Sequence, residues 1–235
     1  AAQRAGRLDR AHADFAAFLD RYPTNALREA CTAALSTVNA ARQARARQTA
    51  RAAVAAEMAA INDALRAERW EDARAAADRF LAAHPDHEQV PELFLLIAAS
   101  AYRTDDYAGA AEAYRRLLEH APQHAHAAEA RTRRAECLFK AGDFETARAL
   151  YAELAEADDD PEARARATLA VADCDAALKR WAEAERAYLS VELLLDCEAL
   201  RPVALQRLAA LYDAMGQPEK ASRTRDALRR RYPGM

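Results

Sequence analysis

The sequence contains little glycine and proline, with five glycines and eight prolines among 235 residues. Both residues interrupt regular helices, so their scarcity allows long helical segments. Strand-like alternation of β-branched residues is also missing, whereas alanine, leucine, arginine and glutamate, which favour helices, are abundant. These features exclude a sheet protein and predict an all-α fold.

Neither sign of charge dominates the chain. Its 34 Lys and Arg residues face 37 Asp and Glu residues, for a formal net charge of −3. Nucleic acids and anionic membranes select strongly basic surfaces, so we expect no nucleic-acid partner. No stretch approaches the roughly 18 uninterrupted apolar residues of a membrane-spanning helix, and we therefore expect no membrane insertion by this chain.

Sequence motifs for catalysis, cofactors and metals are also missing. The chain has no phosphate-binding glycine loop, no Gly-x-Ser-x-Gly and no His-Glu-x-x-His. The four cysteines, Cys31, Cys137, Cys174 and Cys197, show neither CxxC pairing nor histidines at zinc-finger spacing, and we expect buried thiols. The sequence predicts a protein that is not an enzyme and carries no cofactor and no metal, and it leaves the compartment open.

A repeat of 37 residues organises most of the chain. Four aromatic residues recur at this spacing: Trp70, Tyr107, Phe144 and Trp181. Alanine follows each of them three residues later, at Ala73, Ala110, Ala147 and Ala184, and Ala221 continues this column. Fixed-period columns of this kind indicate stacked repeats.

The columns have a physical interpretation as a pair of helices, A and B, joined by a short turn. The turn aromatic covers the groove between the helices, and the small alanine after it lets helix B approach helix A closely. Proline near the end of a unit, as at Pro85 and Pro122, stops helix B. One such hairpin buries too little surface to be stable alone, so the units must stack.

The pattern of aromatic, xx, Ala, xxx, aromatic, xx, apolar, xxxx, Pro resembles the second half of the tetratricopeptide repeat, most closely at Tyr107–Pro122. The resemblance implies a right-handed α-solenoid of helix hairpins that binds other proteins. The usual repeat has 34 residues. The longer unit, with endings such as Tyr22-Pro23 and Tyr232-Pro233, is similar to bacterial cell-envelope members, including the Tol-Pal-associated protein and outer-membrane assembly lipoproteins. That similarity favours the periplasm or cell envelope, with the cytoplasm as the alternative.

We divide the chain into an amino-terminal region, 1–53, and five repeats. The predicted repeats cover 54–90, 91–127, 128–164, 165–201 and 202–235. Residues 8–22 copy a helix-B pattern, which predicts that the chain opens partway through a repeat. No Pro or Gly interrupts residues 24–67, so this segment forms either one long helix of about 60 Å or a hairpin; we favour the long helix.

An apolar residue followed by a basic one recurs at 37-residue spacing near the predicted end of helix A. Together with two flanking apolar residues we call this set the apolar–basic ladder: Met58, Leu65, Arg66, Leu95, Tyr102, Arg103, Phe139 and Lys140. In the solenoids that this chain resembles, helix A lines the concave face. The ladder suits a protein segment with hydrophobic anchors and acidic residues. An alternative explanation needs no ligand: the apolar residues pack partly into the core, and the basic residues lie at the C-terminal ends of helices, where the helix dipole favours positive charge.

Two functional hypotheses follow. The first is a protein-interaction scaffold or adaptor that binds a partner segment through the ladder. The second is a structural homo-oligomer that assembles through its amino-terminal helix and its repeat ends.

Overall fold

The computed structural model describes residues 2–24, 26–157 and 159–233, and these residues contain eleven α-helices and no strand. The helices are α1 (Ala2–Arg21), α2 (Arg28–Arg66), α3 (Trp70–Ala83), α4 (Val90–Arg103), α5 (Tyr107–His120), α6 (Ala127–Ala141), α7 (Phe144–Ala157), α8 (Pro161–Ala177), α9 (Trp181–Leu193), α10 (Arg201–Ala214) and α11 (Pro218–Arg231). One 3₁₀ turn, Glu198–Leu200, precedes α10. The predicted all-α fold is confirmed.

The chain forms two compact units, residues 1–63 and 64–235. The first unit contains α1 and most of α2, with an ion pair of 2.8 Å between Arg42 Nε and Asp9 Oδ1. Helix α2 is continuous over 39 residues, which at about 1.5 Å per residue gives a length of nearly 60 Å. The long-helix alternative is therefore confirmed, and the hairpin is wrong.

The second unit is a solenoid in which each helix from α3 to α11 packs on the next one along the chain. Five helices begin 37 residues apart, at Trp70, Tyr107, Phe144, Trp181 and Pro218. The turns before them show the same period, because Glu68, Asp105, Gly142, Lys179 and Gly216 all have a positive φ, between 54° and 85°. The repeat ranges named above remain a prediction.

The alanine columns lie at the centre of the solenoid. Ala73, Ala110, Ala147, Ala184 and Ala221 are all 0% exposed. On the facing helices, Ala98, Ala135, Ala172 and Ala209 are 0% to 2% exposed. Larger side chains fill the space beside these crossings, among them Phe80, Leu117, Tyr188 and Val191. Alanine at both sides of a crossing allows the helices to pack closely, and the bulkier neighbours supply most of the buried apolar area.

Candidate functional site

The structure places the apolar–basic ladder at the ends of successive helices. Leu65 and Arg66 end α2, Leu95, Tyr102 and Arg103 lie on α4, and Phe139 and Lys140 lie on α6. The apolar members are half-buried, whereas Arg66, Arg103 and Lys140 are exposed. Met58, half-buried on α2, belongs to the first unit, and the other seven residues belong to the second.

The ammonium group of Lys140 lies against two tyrosine rings of the preceding hairpin. Its Nζ is 4.9 Å from the ring centroid of Tyr102 and 5.0 Å from that of Tyr107. The two rings meet edge to face, with centroids 5.3 Å apart. Hydrogen bonding to Tyr102 raises the pKa of Lys140, so the ammonium stays charged in this position. This contact links α6 to α4 and α5.

Arg103 makes the equivalent contact one hairpin earlier. Its Cζ lies 4.8 Å from the ring centroid of Trp70, the first residue of α3. A guanidinium above an indole face is the most favourable cation–π pair, worth about 0.5–1 kcal/mol at an exposed site. Phe139 contacts Phe144 edge to face, with ring centroids 5.2 Å apart, and this repeats the Tyr102–Tyr107 contact 37 residues later.

The turn aromatics Trp70, Tyr107 and Phe144 are functional candidates that sequence reasoning did not include in the ladder. Each is half-buried and contacts a ladder residue. A spacing of 33 residues, from Trp70 to Arg103 and from Tyr107 to Lys140, was the available signal. At the next step this spacing joins Phe144 to Ala177, which carries no charge, so the cation–π series ends where the ladder ends.

A polar contact between hairpins supports the start of α5. Asp106 caps that helix, because its Oδ1 accepts the Gly109 N–H at 2.8 Å, and its other oxygen pairs with Arg74 of α3. The Arg74 hydrogen bond is the main reason that the pKa of Asp106 lies below its ordinary value. A Cβ on Gly109 would come within 3 Å of the Asp106 carboxylate and of Arg74 Nη2, so a larger residue there would displace one or both of these side chains.

Two carboxylates on α8 link this helix to its neighbours. Asp175, 1% exposed, accepts a hydrogen bond of 2.6 Å from Arg148 Nε of α7. Asp173 accepts the Tyr188 hydroxyl at 2.7 Å and pairs with Arg207 of α10. Burial raises the pKa of Asp173, and its two partners oppose that rise. A buried carboxylate such as Asp175, or a half-buried one such as Asp173, is tolerated when it is paired in this way, and these contacts are structural.

The histidines pack locally. His84 and His87 flank Phe80, with ring centroids 4.7 Å and 5.2 Å away, and His124 Nε2 lies 3.5 Å from Glu92. In the part of the chain that the structure describes, no three His, Cys, Asp or Glu side chains are grouped to hold a metal ion.

All four cysteines are free: Cys137, Cys174 and Cys197 are buried, and Cys31 is half-buried. Burial raises the pKa of the Cys137 thiol to about 11 and that of Cys174 to about 12. The thiolate is the reactive form, so these buried thiols are inert at neutral pH. Across the described residues, no helix combines the length and the apolar character that crossing a bilayer requires.

Comparison with known proteins gives matches to two tetratricopeptide-repeat family models, over residues 58–125 and 101–171. No curated protein matches the chain. Among solved structures, MamA residues 41 to the end from Desulfovibrio magneticus RS-1 is similar, with 15% identity and a TM-score of 0.52, covering 77% of this chain and 97% of that chain. The tetratricopeptide-like repeats of a putative kinesin light chain from Podosopora anserina show 14% identity and a TM-score of 0.54, covering 75% and 93%.

A third similar structure is the apo form of RapI, with 12% identity and a TM-score of 0.55, covering 75% of this chain and 69% of that chain. At these identities the structural likeness concerns the fold, and the two family matches concern the repeats themselves. Residues 58–171 thus match tetratricopeptide-repeat models, and the chain adopts a tetratricopeptide-like α-solenoid fold.

Proposed function

We propose that the second unit is a protein-binding scaffold and that the apolar–basic ladder residues of that unit hold a segment of the partner. The observation that carries this proposal is the row of half-buried aromatic side chains, with exposed cations stacked on them, along consecutive tetratricopeptide repeats. Tyr102 and Lys140 form its centre. Aromatic and arginine side chains of this kind supply most of the binding energy at protein interfaces.

The arrangement favours a partner segment with apolar anchors and acidic residues. Arg103 and Lys140 are exposed, and neither makes an ion pair with a carboxylate in the described structure, because each lies over a ring of the preceding hairpin. Their charge is therefore available to a carboxylate of a partner. Ring and cation are held in place before binding, which lowers the entropy cost of ordering the surface.

The first experiment is affinity capture from a lysate of the source cells, analysed by mass spectrometry. The Tyr102→Ala/Phe139→Ala double variant should lose a partner that the wild type retains. Tyr232→Ala removes a half-buried tyrosine outside the ladder and serves as the control. Far-UV circular dichroism verifies that all variants keep their helices. A partner that both variants retain fully would remove the ladder from the proposal.

A charge series tests the electrostatic part. Arg103→Glu and Lys140→Glu should each weaken an isolated complex about tenfold or more, since like charges then face each other. Lys179→Glu makes the same change at an exposed lysine outside the ladder and should have little effect. Equal weakening by all three changes would indicate a general charge effect and not a site.

A second candidate function is assembly into homo-oligomers. It is favoured by large apolar side chains at the surface, because Leu193 is 61% exposed and Leu194 79%, while Tyr22 is 45% and Leu27 59% exposed in the first unit. Exposed apolar residues in groups mark association surfaces. Light scattering across a concentration series tests this candidate, and a monomer at the highest concentration would contradict it.

We also propose the bacterial cell envelope as the place where the protein acts, on the basis of the long repeat and the Tyr-Pro unit endings. Fractionation of the source cells, with immunodetection of the protein, tests this location. Detection in the cytoplasmic fraction alone would overturn it.

A further inference from the structure

Two arginines stand on α6 at positions where α4 and α10 carry buried apolar residues. Arg131 and Arg134 lie 37 residues after Phe94 and Ile97. Phe94 and Ile97 are 5% and 4% exposed, and the corresponding residues of α10, Leu205 and Leu208, are 5% and 3% exposed. Arg131 is exposed and Arg134 is half-buried. A guanidinium cannot enter the apolar core as these side chains do, so the hairpin of α6 and α7 is incompletely filled.

The space left by this substitution is a cavity of about 200 Å³ between α5, α6 and α7. Its walls are Leu118, Arg131, Arg134, Leu150, Glu153, Leu154 and Ala157. Three leucines thus make the cavity apolar, and two guanidinium groups lie at its border. None of these residues belongs to the apolar–basic ladder.

In the part of the chain that the structure describes, neither guanidinium group makes a hydrogen bond or an ion pair. Other arginines nearby are paired. Arg133, on the same helix, bonds Glu136 at 3.1 Å, and Arg115 on α5 bonds Glu112 at 2.6 Å. The cavity border is therefore a place where positive charge is left over.

The acidic groups near the cavity do not cancel that charge. Glu153 of α7 lines the cavity but forms no ion pair there with either guanidinium. Glu112 of α5 is held by Arg115, the main cause of its lowered pKa, to which Arg134 adds a smaller electrostatic contribution. Two cations and one lining carboxylate give the site a net positive charge.

The size of the cavity decides what kind of ligand it fits. Pockets for free small molecules usually enclose roughly 300–1,000 Å³, more than the volume of about 200 Å³ of this cavity. One apolar side chain matches this volume better. Anchor side chains that fill such pockets, next to charge-assisted hydrogen bonds, dominate many protein interfaces.

We propose that this cavity receives one apolar side chain of a protein partner, and that carboxylates beside that side chain pair with Arg131 and Arg134. The proposal rests on the scaffold function proposed above and adds a second contact that is separate from the ladder. Arginine suits this role because its planar group binds a carboxylate in two places.

The experiment is an NMR titration of the full chain with three blocked peptides at low salt. The test peptide is Ac-Asp-Leu-Asp-NH₂. The first control, Ac-Asn-Leu-Asn-NH₂, lacks the negative charges, and the second, Ac-Asp-Ala-Asp-NH₂, lacks the apolar anchor. Signals of the Arg131 and Arg134 Nε–H groups and of the Leu118, Leu150 and Leu154 methyl groups report on the cavity. We expect saturable shifts with the test peptide and affinities about tenfold lower with either control, which corresponds to about 1.4 kcal/mol.

Variants separate the two arginines from the general charge of the helix. Arg131→Gln/Arg134→Gln should reduce the affinity for the test peptide about tenfold, whereas Arg133→Gln, a neighbour paired with Glu136, should not. Helical content by circular dichroism verifies folding. Should the double variant fail to fold, Arg131→Gln alone changes an exposed side chain and keeps the test decisive.

Three outcomes would overturn the proposal. Equal binding of the Asn-Leu-Asn peptide would show that the guanidinium groups do not contribute, and absence of any cavity shift would show that no anchor enters. Hexanoate, a free apolar acid, binding as tightly as the peptide would indicate a small-molecule site. If the test peptide does not bind the cavity but capture of the partner still depends on the ladder, only this inference is overturned. If the peptide binds the cavity but capture does not depend on the ladder, only the proposed function of the ladder is overturned.

Discussion

The ammonium nitrogen of Lys140 lies 4.9 Å from the centroid of the Tyr102 ring, across the boundary between two consecutive helix hairpins. This pair is part of the surface that we propose for partner binding, and it also joins α6 to α4. The two roles can be separated, because the structural contribution is present without a partner.

A double-mutant cycle measures the coupling of this pair. Lys140→Met and Tyr102→Leu should each destabilise the protein slightly, and the coupling free energy from chemical unfolding should be about 0.5–1 kcal/mol, as for an exposed cation–π pair. Additive effects of the two changes would contradict the contact.

Enlarging a buried alanine should disturb a helix crossing. Ala147 is 0% exposed, and Ala147→Leu should lower the free energy of unfolding by about 1–3 kcal/mol because the added atoms have no space. Ala182→Leu, at an exposed position of α9, is the control and should have little effect. Unchanged stability of Ala147→Leu would mean that the register of α6 and α7 is wrong.

At two equivalent left-handed turn positions, substitutions in opposite directions should change the stability with opposite sign. Gly142 has a φ of 85°, and Lys179, 37 residues later, has a φ of 59°. Gly142→Ala should destabilise by about 1 kcal/mol, since a Cβ disfavours this conformation. Lys179→Gly should stabilise by about 0.5 kcal/mol, because the relief of strain exceeds the entropy cost of glycine. Thermal and urea unfolding measure both, and stabilisation by Gly142→Ala would contradict the assignment of the turn.

The Arg74–Asp106 pair predicts a pH dependence of stability. In the folded protein, the Arg74 hydrogen bond lowers the pKa of Asp106 below its ordinary value of 3.8. A lowered pKa stabilises the fold fully above the ordinary value and loses this contribution as the pH falls through the folded-state value. Urea unfolding between about pH 6 and pH 2.5 should therefore show a steeper loss for the wild type than for Asp106→Asn. The pair is partly exposed, so the difference between the two proteins should be small. Parallel curves of unfolding free energy against pH would exclude a contribution from this carboxylate.

Thiol labelling tests the burial of the cysteines. Cys137 and Cys174, with pKa values raised to about 11 and 12 by burial, should resist iodoacetamide at pH 8 until the protein unfolds. Cys31, which is half-buried, should react first. Peptide mass spectrometry over time identifies the order. Early labelling of Cys174 would indicate that α7 and α8 open locally without global unfolding.

Much of the fold could be predicted from the spacing of a few residues. The columns that begin with Trp70 and Ala73 reflect a steric requirement at each helix crossing. The absence of Gly and Pro from 24–67 indicates that α2 is continuous. Such requirements involve residues close together in the sequence and recur in every repeat, so the sequence pattern alone reveals them. The ladder residues could be named for the same reason, although their function as a binding surface stays a proposal.

The surroundings of those residues could not be predicted in the same way. Nothing local shows that Lys140 lies between Tyr102 and Tyr107, or that Arg103 covers Trp70, because each pair joins different hairpins. Arg131 and Arg134 interrupt an apolar column, and the sequence shows the interruption but not the cavity beside it. Only the packing of three helices determines whether such a substitution leaves space or is filled by neighbours.

The sequence by itself determined the all-α solenoid, its 37-residue period, the close helix crossings at alanine and the long second helix, since each follows from steric rules that act within one repeat. The tertiary structure decided which cations are held by rings, which carboxylates are paired and where an apolar cavity remains beside two arginines. Those properties depend on distances between hairpins, and these distances are set only when the repeats stack.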